Sequence, residues 1–198
     1  MPNSNVTVIA TFAPVSSEPT TPTESTSDDE TYLFPFTDVL KTDWFCSAVE
    51  YVFNNELMSG TAPYTFDPQG KMSRAMVWTV LGRMADADVD GSDSPWYAKA
   101  QEWATTNNVS DGTNPDNSIS RQELMTMLWR YIGSPAATAD LSKFSDNESV
   151  AAWANAAMQW AVSTGLIVGD NGRLNPGGDA RRCEVATIFM RFYGNIAK

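Results

Sequence analysis

The 198-residue chain has no histidine. That absence removes the commonest general base and the commonest metal ligand together. Its two cysteines, Cys46 and Cys183, are too few for a CxxC-type zinc cluster or for the disulfide framework of a small secreted domain, so one bridge at most could form. Positive charge is also scarce: 13 Lys and Arg against 24 Asp and Glu leave a formal net charge of −11. Such a balance argues against a nucleic-acid surface, whose affinity rests on many Lys and Arg contacts to phosphate. A polyanion could bind only if the few arginines were gathered in one place. No apolar run approaches the length of a membrane span, so no membrane insertion is expected. The start of the chain lacks the basic and apolar regions of a signal peptide, which for an exported protein would lie upstream.

What is present suffices for a packed core. The chain is 42% hydrophobic, with seven Trp, nine Phe and nine Met, which sets it apart from disordered and coiled-coil compositions. Residues 5–12, NVTVIATF, alternate with the period of a strand. The phrase MPNSNVTVIATF resembles the last strand of bacterial surface repeats related to the B-repeat of internalins, which leads us to expect residues 1–13 to be the end of an upstream β repeat in a longer protein. Residues 14–32 are almost entirely Ser, Thr, Pro and acids. They cannot offset their ordering entropy by burial and read as a solvated, disordered linker.

From residue 33 onward the sequence repeats itself three times. Trp44, Trp96 and Trp153 are each followed at +4 by alanine (Ala48, Ala100, Ala157), at +7 by an aromatic (Tyr51, Trp103, Trp160) and at +16 by glycine (Gly60, Gly112, Gly169). With a small or branched residue at +8, this spacing is one face of a helix. The phrases FDPQGKMSR, TNPDNSISR and LNPGGDARR then align without a gap, each placing a proline six residues before Arg74, Arg121 or Arg182. A second apolar stripe follows at +3, +6, +7 and +10 from that arginine, and another arginine recurs at +9 (Arg83, Arg130, Arg191). Each repeat is therefore helix, loop, helix. A pair of short helices cannot bury its stripes alone, so the repeats share a core. The expected modules are 33–85, 86–140 and 141–198.

The recurrent arginine carries the chemistry. Ser73 and Ser120 are N-cap residues directly before it, and Ser120 with Glu123 makes a capping box. An arginine in the first helical turn opposes the helix dipole by about 0.3–1 kcal/mol, so something offsets it. A bound carboxylate or phosphate would do so, meeting a guanidinium fork and free helix-start N–H groups together. An acidic side chain of a neighbouring repeat would do so equally well. Glu123 and its counterpart Glu184 read as structural rather than catalytic, and in the first copy Met76 stands in their place. Gly60, Gly112 and Gly169 read as helix-terminating or turn glycines, with close approach of a ligand as a second reading. Trp44, Trp96 and Trp153 read first as core residues and second as platforms for sugar rings.

These residues resemble the surface-layer homology (SLH) module, arranged as a triplet. Its F-x-D-V opening is matched by Phe36-Thr37-Asp38-Val39 and in part by Phe144-Ser145-Asp146, its G-[LI]-x-x-G by Gly165-Leu166-Ile167-Val168-Gly169, and its [IT]-T-R-A-E by Met72 to Met76, Ile119 to Glu123 and Ala180 to Glu184. The resemblance implies an all-α, pseudo-threefold assembly. It implies grooves between modules that bind a secondary cell-wall polysaccharide or a peptidoglycan-linked glycan, anchoring a surface protein non-covalently to a Gram-positive-type envelope, in the cell wall or S-layer. In many such proteins the recognised end carries a pyruvate ketal, whose carboxylate suits the arginine. The polysaccharide-binding set this implies is Arg74, Arg121, Arg182, Ser73, Ser120, Gly60, Gly112, Gly169, Trp44, Trp96 and Trp153. The second copy lacks F-x-D-V and the third has Arg181 for the N-cap Thr, so the pattern is most complete around Arg74.

The sequence also offers three other functions. Asp86, Asp88 and Asp90 open like an EF-hand calcium loop, but the twelfth position is Tyr97 instead of Glu. Paired carboxylates could serve glycoside hydrolysis, but the acids lie mostly in linkers and loops and no pair recurs with the repeat, so no catalytic residue and no cofactor is expected. A purely oligomerising surface module is the third. Cys46 and Cys183 read as buried apolar residues, with a bridge between the first and third units left open.

Overall fold

The computed structural model describes residues 34–91 and 94–195. The strand expected within 1–13 and the linker expected over 14–32 lie outside the described residues. Six helices form: α1 (Cys46–Asn54), α2 (Arg74–Met84), α3 (Ala98–Thr106), α4 (Arg121–Tyr131), α5 (Asn155–Ser163) and α6 (Arg182–Asn195), with two short 3-10 turns before α5. Among the described residues the only β pairing is a set of isolated bridges, so the fold is all-α. No helix among them is long and apolar enough to cross a membrane.

Local chemistry sets the helix starts. The Ser73 and Ser120 hydroxyls accept the N–H groups of Met76 and Glu123, and the Glu123 carboxylate closes the box on the Ser120 N–H. At α6 arginine replaces the serine, yet the Glu184 carboxylate still accepts the Arg181 N–H at 2.9 Å. The first helix of each repeat ends in a left-handed residue, Glu56 (φ 57°), Asn108 (φ 57°) and Gly165 (φ 71°). These positions stop the helix, not Gly60, Gly112 and Gly169, which lie four residues further on.

The recurrent tryptophans also depart from expectation. Each stands two residues ahead of its helix, so the helical face begins at the alanine, and Trp44, Trp96 and Trp153 are 68%, 48% and 55% exposed. The core reading fails because the repeat period runs past the helix start. The alanines at +4 and the residues at +8 are buried as expected.

The two helices of one repeat do not pack on each other. Instead α2 packs on α3, α4 on α5, and α1 on α6, so every helix pair crosses a repeat boundary and the last one closes the ring. At the centre a cycle of backbone hydrogen bonds joins the three copies: Met72 N–H to Ala180 O, Ile119 N–H to Met72 O, and Ala180 N–H to Ile119 O, at 2.8–3.1 Å. This cycle lies on the pseudo-threefold axis, and Met72, Ile119 and Ala180 are buried there. Around it pack Trp78, Phe66, Leu124, Leu128, Phe189 and Phe192, all without solvent exposure, each side chain contributing about 1.5–3 kcal/mol by burial. Cys46 and Cys183 are buried free thiols, so the open question of a bridge resolves to none. Burial raises both thiol pKa values, with Glu50 adding at Cys46 and Glu184 at Cys183.

Candidate functional site

Each recurrent arginine crosses the boundary into the next repeat, and the crossing is the same three times. The Nε of Arg74 donates to Thr113 O, that of Arg121 to Leu174 O, and that of Arg182 to Phe66 O, at 2.7–3.1 Å. The helix-start N–H groups follow. Those of Arg74 and Ala75 reach Asn117 O and Pro115 O, those of Arg121 and Gln122 reach Gly178 O and Pro176 O, and those of Arg182 and Cys183 reach Gly70 O and Pro68 O. The recurrent proline therefore offers its carbonyl to the preceding repeat's helix. It also corrects the expectation of free N–H donors at these helix starts, because the first two are already bound within the protein.

The loop that accepts each arginine is itself held by an aspartate. Asp38 accepts the N–H groups of Phe66 and Asp67, and Asp146 accepts those of Leu174 and Asn175, at 2.8–2.9 Å. In the second repeat, which lacks F-x-D-V, Asp111 accepts the Thr113 N–H instead. Burial pushes the Asp146 carboxyl up, but the Leu174 and Asn175 N–H groups outweigh it and hold the group below the ordinary aspartate range. Asp111 is lowered likewise, by the Thr113 N–H and the Arg74 guanidinium against its burial.

Three clefts result, each built from three repeats. The base is the recurrent arginine of one copy, and the wall is the post-helix loop and second helix of the next. The rim is the exposed tryptophan of the third. The Arg74 cleft holds Ser110, Glu123, Thr126, Arg130 and Trp153; the Arg121 cleft holds Gly169, Glu184, Thr187, Arg191 and Trp44; the Arg182 cleft holds Gly60, Met76, Thr79, Arg83 and Trp96. Their volumes are about 210, 590 and 220 Å³. The exposed tryptophans thus stand at the edges of the clefts. A threonine at +5 from the arginine also recurs in every copy (Thr79, Thr126, Thr187), a sequence signal that marks the cleft wall. Its hydroxyl donates to the carbonyl one turn back, fixing its rotamer at the cleft wall.

The remaining predicted site residues are structural in their contacts. Ser73 and Ser120 cap helices. Gly60 and Gly169 leave room for aromatic rings: a Cβ at Gly60 would lie 2.5 Å from the Phe36 ring, and one at Gly169, where φ is +79°, 2.7 Å from the Phe144 ring. Gly112 also has positive φ, and its carbonyl accepts from Gln101. The calcium candidate does not assemble. Asp90 is bound by Arg83 and Asp88 by Lys99, and no metal-holding group of three or more carboxylates occurs among the described residues.

Counter-charge separates the clefts. Arg74 contacts the carboxylates of Glu123 at 2.7 Å and Asp111 at 2.6 Å, and Arg121 faces Glu184 at 3.5 Å. The acid reading of the recurrent arginine therefore holds for these two. Arg182 is 6% exposed and has no carboxylate in ion-pair range among the described residues. Its guanidinium binds Phe66 O and Ser59 O, touches Met72 Sδ at 3.6 Å and stacks over the Phe66 ring at 4.5 Å.

The chain is similar in sequence to known proteins. The family model described as the S-layer homology domain matches residues 35–75 and 143–186, within the first and third repeats. An endoglucanase of Bacillus sp. (strain KSM-635) is 24% identical over 206 residues, covering 96% of this chain and 21% of that protein. The surface-layer 125 kDa protein of Lysinibacillus sphaericus is 28% identical over 165 residues, covering 75% of this chain and 14% of that protein. An amylopullulanase of Thermoanaerobacterium thermosulfurigenes is 27% identical over 185 residues, covering 82% of this chain and 10% of that protein. The chain spans about a fifth or less of the length of these relatives.

Proposed function

We propose that this chain, a cell-surface anchoring chain that carries S-layer homology domains, holds its parent protein to the envelope by binding an anionic secondary cell-wall polysaccharide in the clefts between modules 33–85, 86–140 and 141–198. The carrying observation is the threefold repetition of one cleft, with a guanidinium at its base and an indole at its rim. A cation at the base suits a carboxylate such as a pyruvate ketal, and an exposed indole face stacks on a sugar ring. The relatives support a binding rather than a catalytic role. An endoglucanase, a surface-layer protein and an amylopullulanase are named for different roles yet are all similar to this stretch. The acidic surface is compatible with an acidic polymer, since six of the thirteen Lys and Arg residues occupy two fixed positions per repeat.

The test is sedimentation of the purified chain with cell-wall sacculi from a Gram-positive bacterium. The wild type is expected to pellet, and a variant combining Arg74→Ala, Arg121→Ala and Arg182→Ala is expected to stay in solution while keeping its helical circular dichroism. A folded triple variant that pellets like the wild type would remove the cleft mechanism.

A further inference from the structure

The chain holds a single Asn-Gly step, Asn171-Gly172. It forms the tip of a two-residue hairpin whose flanks, Asp170 and Arg173, exchange backbone hydrogen bonds at 2.8 and 2.9 Å. Both tip residues have positive φ, 48° for Asn171 and 72° for Gly172, the pattern of a type I′ turn. The tip is exposed, and nothing lies within 4 Å of where a Gly172 Cβ would stand. Its polar groups divide into two sets. The Gly172 carbonyl accepts the Ser145 N–H at 2.9 Å, and this tie seats the Phe144-Ser145-Asp146 turn. The peptide unit one step earlier is unbonded: neither the Asn171 carbonyl nor the Gly172 N–H has a hydrogen-bond partner among the described residues. The first repeat makes the same tie, Thr37 N–H to Tyr64 O, but its hairpin tip is Pro63-Tyr64. In the second repeat only Thr113 and Asn114 separate Gly112 from Pro115, too short a link for such a hairpin.

An unbonded peptide unit can turn over at no cost in hydrogen bonds. Its flip converts the type I′ tip to type II′, the other turn that closes two-residue hairpins, while Asp170 and Arg173 stay paired. In type II′ the first central residue has ψ near about −120°, which for an L residue eclipses the next nitrogen with Cβ. That brings the Gly172 nitrogen to the side of the Asn171 carboxamide, and no Cβ on Gly172 obstructs its approach to Cγ. We infer that Asn171 is a site of spontaneous deamidation to isoaspartate in the folded protein, and that this modification unseats the loop that accepts Arg121. The Gly172 nitrogen gives up its proton to solvent base and bonds Cγ. The Cγ–Nδ2 bond breaks and ammonia leaves, closing a succinimide. Water then cleaves the bond between the Gly172 nitrogen and the Asn171 backbone carbonyl carbon, so the main chain runs through Cγ, one carbon longer. The extra carbon breaks the two-residue geometry of the hairpin and moves the Gly172 carbonyl off Ser145. Asp146, beside Ser145, holds the Leu174 and Asn175 N–H groups, and Leu174 O accepts Arg121 Nε. The new carboxylate also adds a negative charge next to Asp170.

The test is ageing of the full chain in warm, mildly alkaline buffer below its melting temperature, followed by peptide mapping by mass spectrometry and by enzymatic methyl transfer to isoaspartyl carboxylates. The peptide carrying Asn171 is expected to lose ammonia and gain water faster than any other asparagine peptide, with isoaspartate as the main product and a rate that rises with pH. Gly172→Ala is expected to slow the conversion by about tenfold or more, because a Cβ crowds the attacking nitrogen. Amide hydrogen exchange on the aged chain is expected to speed up at Ser145, Leu174 and Asn175 and to stay unchanged at Phe66 and Asp67, the matching positions of the first repeat. Asn171→Gln, whose longer side chain would have to close a six-membered ring, should show no such change after the same ageing. A folded chain that keeps Asn171 intact while the urea-unfolded chain converts would overturn the inference, because the turn would then protect the site. An aged chain rich in isoaspartate at this position, with unaltered exchange at Ser145 and Leu174, would overturn the link to Arg121. Neither readout needs a ligand, so the result stands whether or not the clefts bind a glycan.

Discussion

Arg74 and Glu123 meet across a repeat boundary, Nη1 to Oε1 at 2.7 Å, while the other oxygen of Glu123 caps the helix on which it stands. One carboxylate thus stabilises a helix start and neutralises the buried cation of the preceding repeat. Truncating Glu123 removes half a capping box and one of the two counter-charges of Arg74. Glu123→Ala is expected to lower stability by about 2 kcal/mol, measured by urea denaturation. An effect below about 0.5 kcal/mol would mean that Asp111 alone balances Arg74.

Asp146 gives the protein a pH dependence. Its side chain is 7% exposed, and its pKa is depressed in the fold below the unfolded value of about 3.9. The folded state therefore binds fewer protons, and the stability from this group is fully present above the unfolded pKa and is lost as pH falls through the folded one. Asp111 and Asp90 act in the same sense, Asp90 through its hydrogen bonds to Arg83. Stability measured by denaturant titration should thus decline below about pH 4. Asp146→Asn leaves one of the Leu174 and Asn175 N–H groups poorly paired and is expected to cost about 1–3 kcal/mol at pH 7. That deficit should shrink toward pH 3.

The rim tryptophans and the core tryptophan should behave oppositely. Trp78 is fully buried, and Trp78→Ala is expected to lower stability by about 3–5 kcal/mol. Trp96→Ala should change stability by about 0.5 kcal/mol or less yet weaken sedimentation with cell-wall sacculi. Trp44→Ala and Trp153→Ala, at the rims of the other two clefts, should act in the same sense. Thermal melts and sedimentation of the same four variants check both halves.

Two glycines separate backbone strain from steric overlap. Gly172 has φ +72° with open space around its Cβ position, while Gly169 has φ +79° with the Phe144 ring 2.7 Å away. Gly172→Ala is expected to cost about 1 kcal/mol. Gly169→Ala should cost clearly more, because it also displaces the ring that seats the F-x-D turn. Equal shifts in melting temperature would show that the ring moves aside freely.

The helices and the closure of three units were legible because apolar positions recur at helical spacing in three copies, and Ser73, Ser120 and Glu123 mark helix starts by chemistry that acts over three residues. Pairing was not. Periodicity tells which face of a helix is buried but not what covers it, so nothing in the stripes of α1 and α6 says that they meet. The exposure of Trp44, Trp96 and Trp153 was not legible, because a sequence repeat has no mark where the loop ends and the helix begins. The arginine's partner was half legible. The acid two positions after Arg121 and Arg182, and Met76 in its place after Arg74, stand in the sequence, but that the acid serves the preceding repeat's arginine depends on how the repeats close.

The most direct test follows the guanidinium Nε–H signals of Arg74, Arg121 and Arg182 by NMR while a pyruvylated methyl hexopyranoside is added to the full chain. A saturable shift of at least one of the three signals is expected. Three signals left unmoved at saturating sugar would contradict binding of an anionic glycan in the clefts.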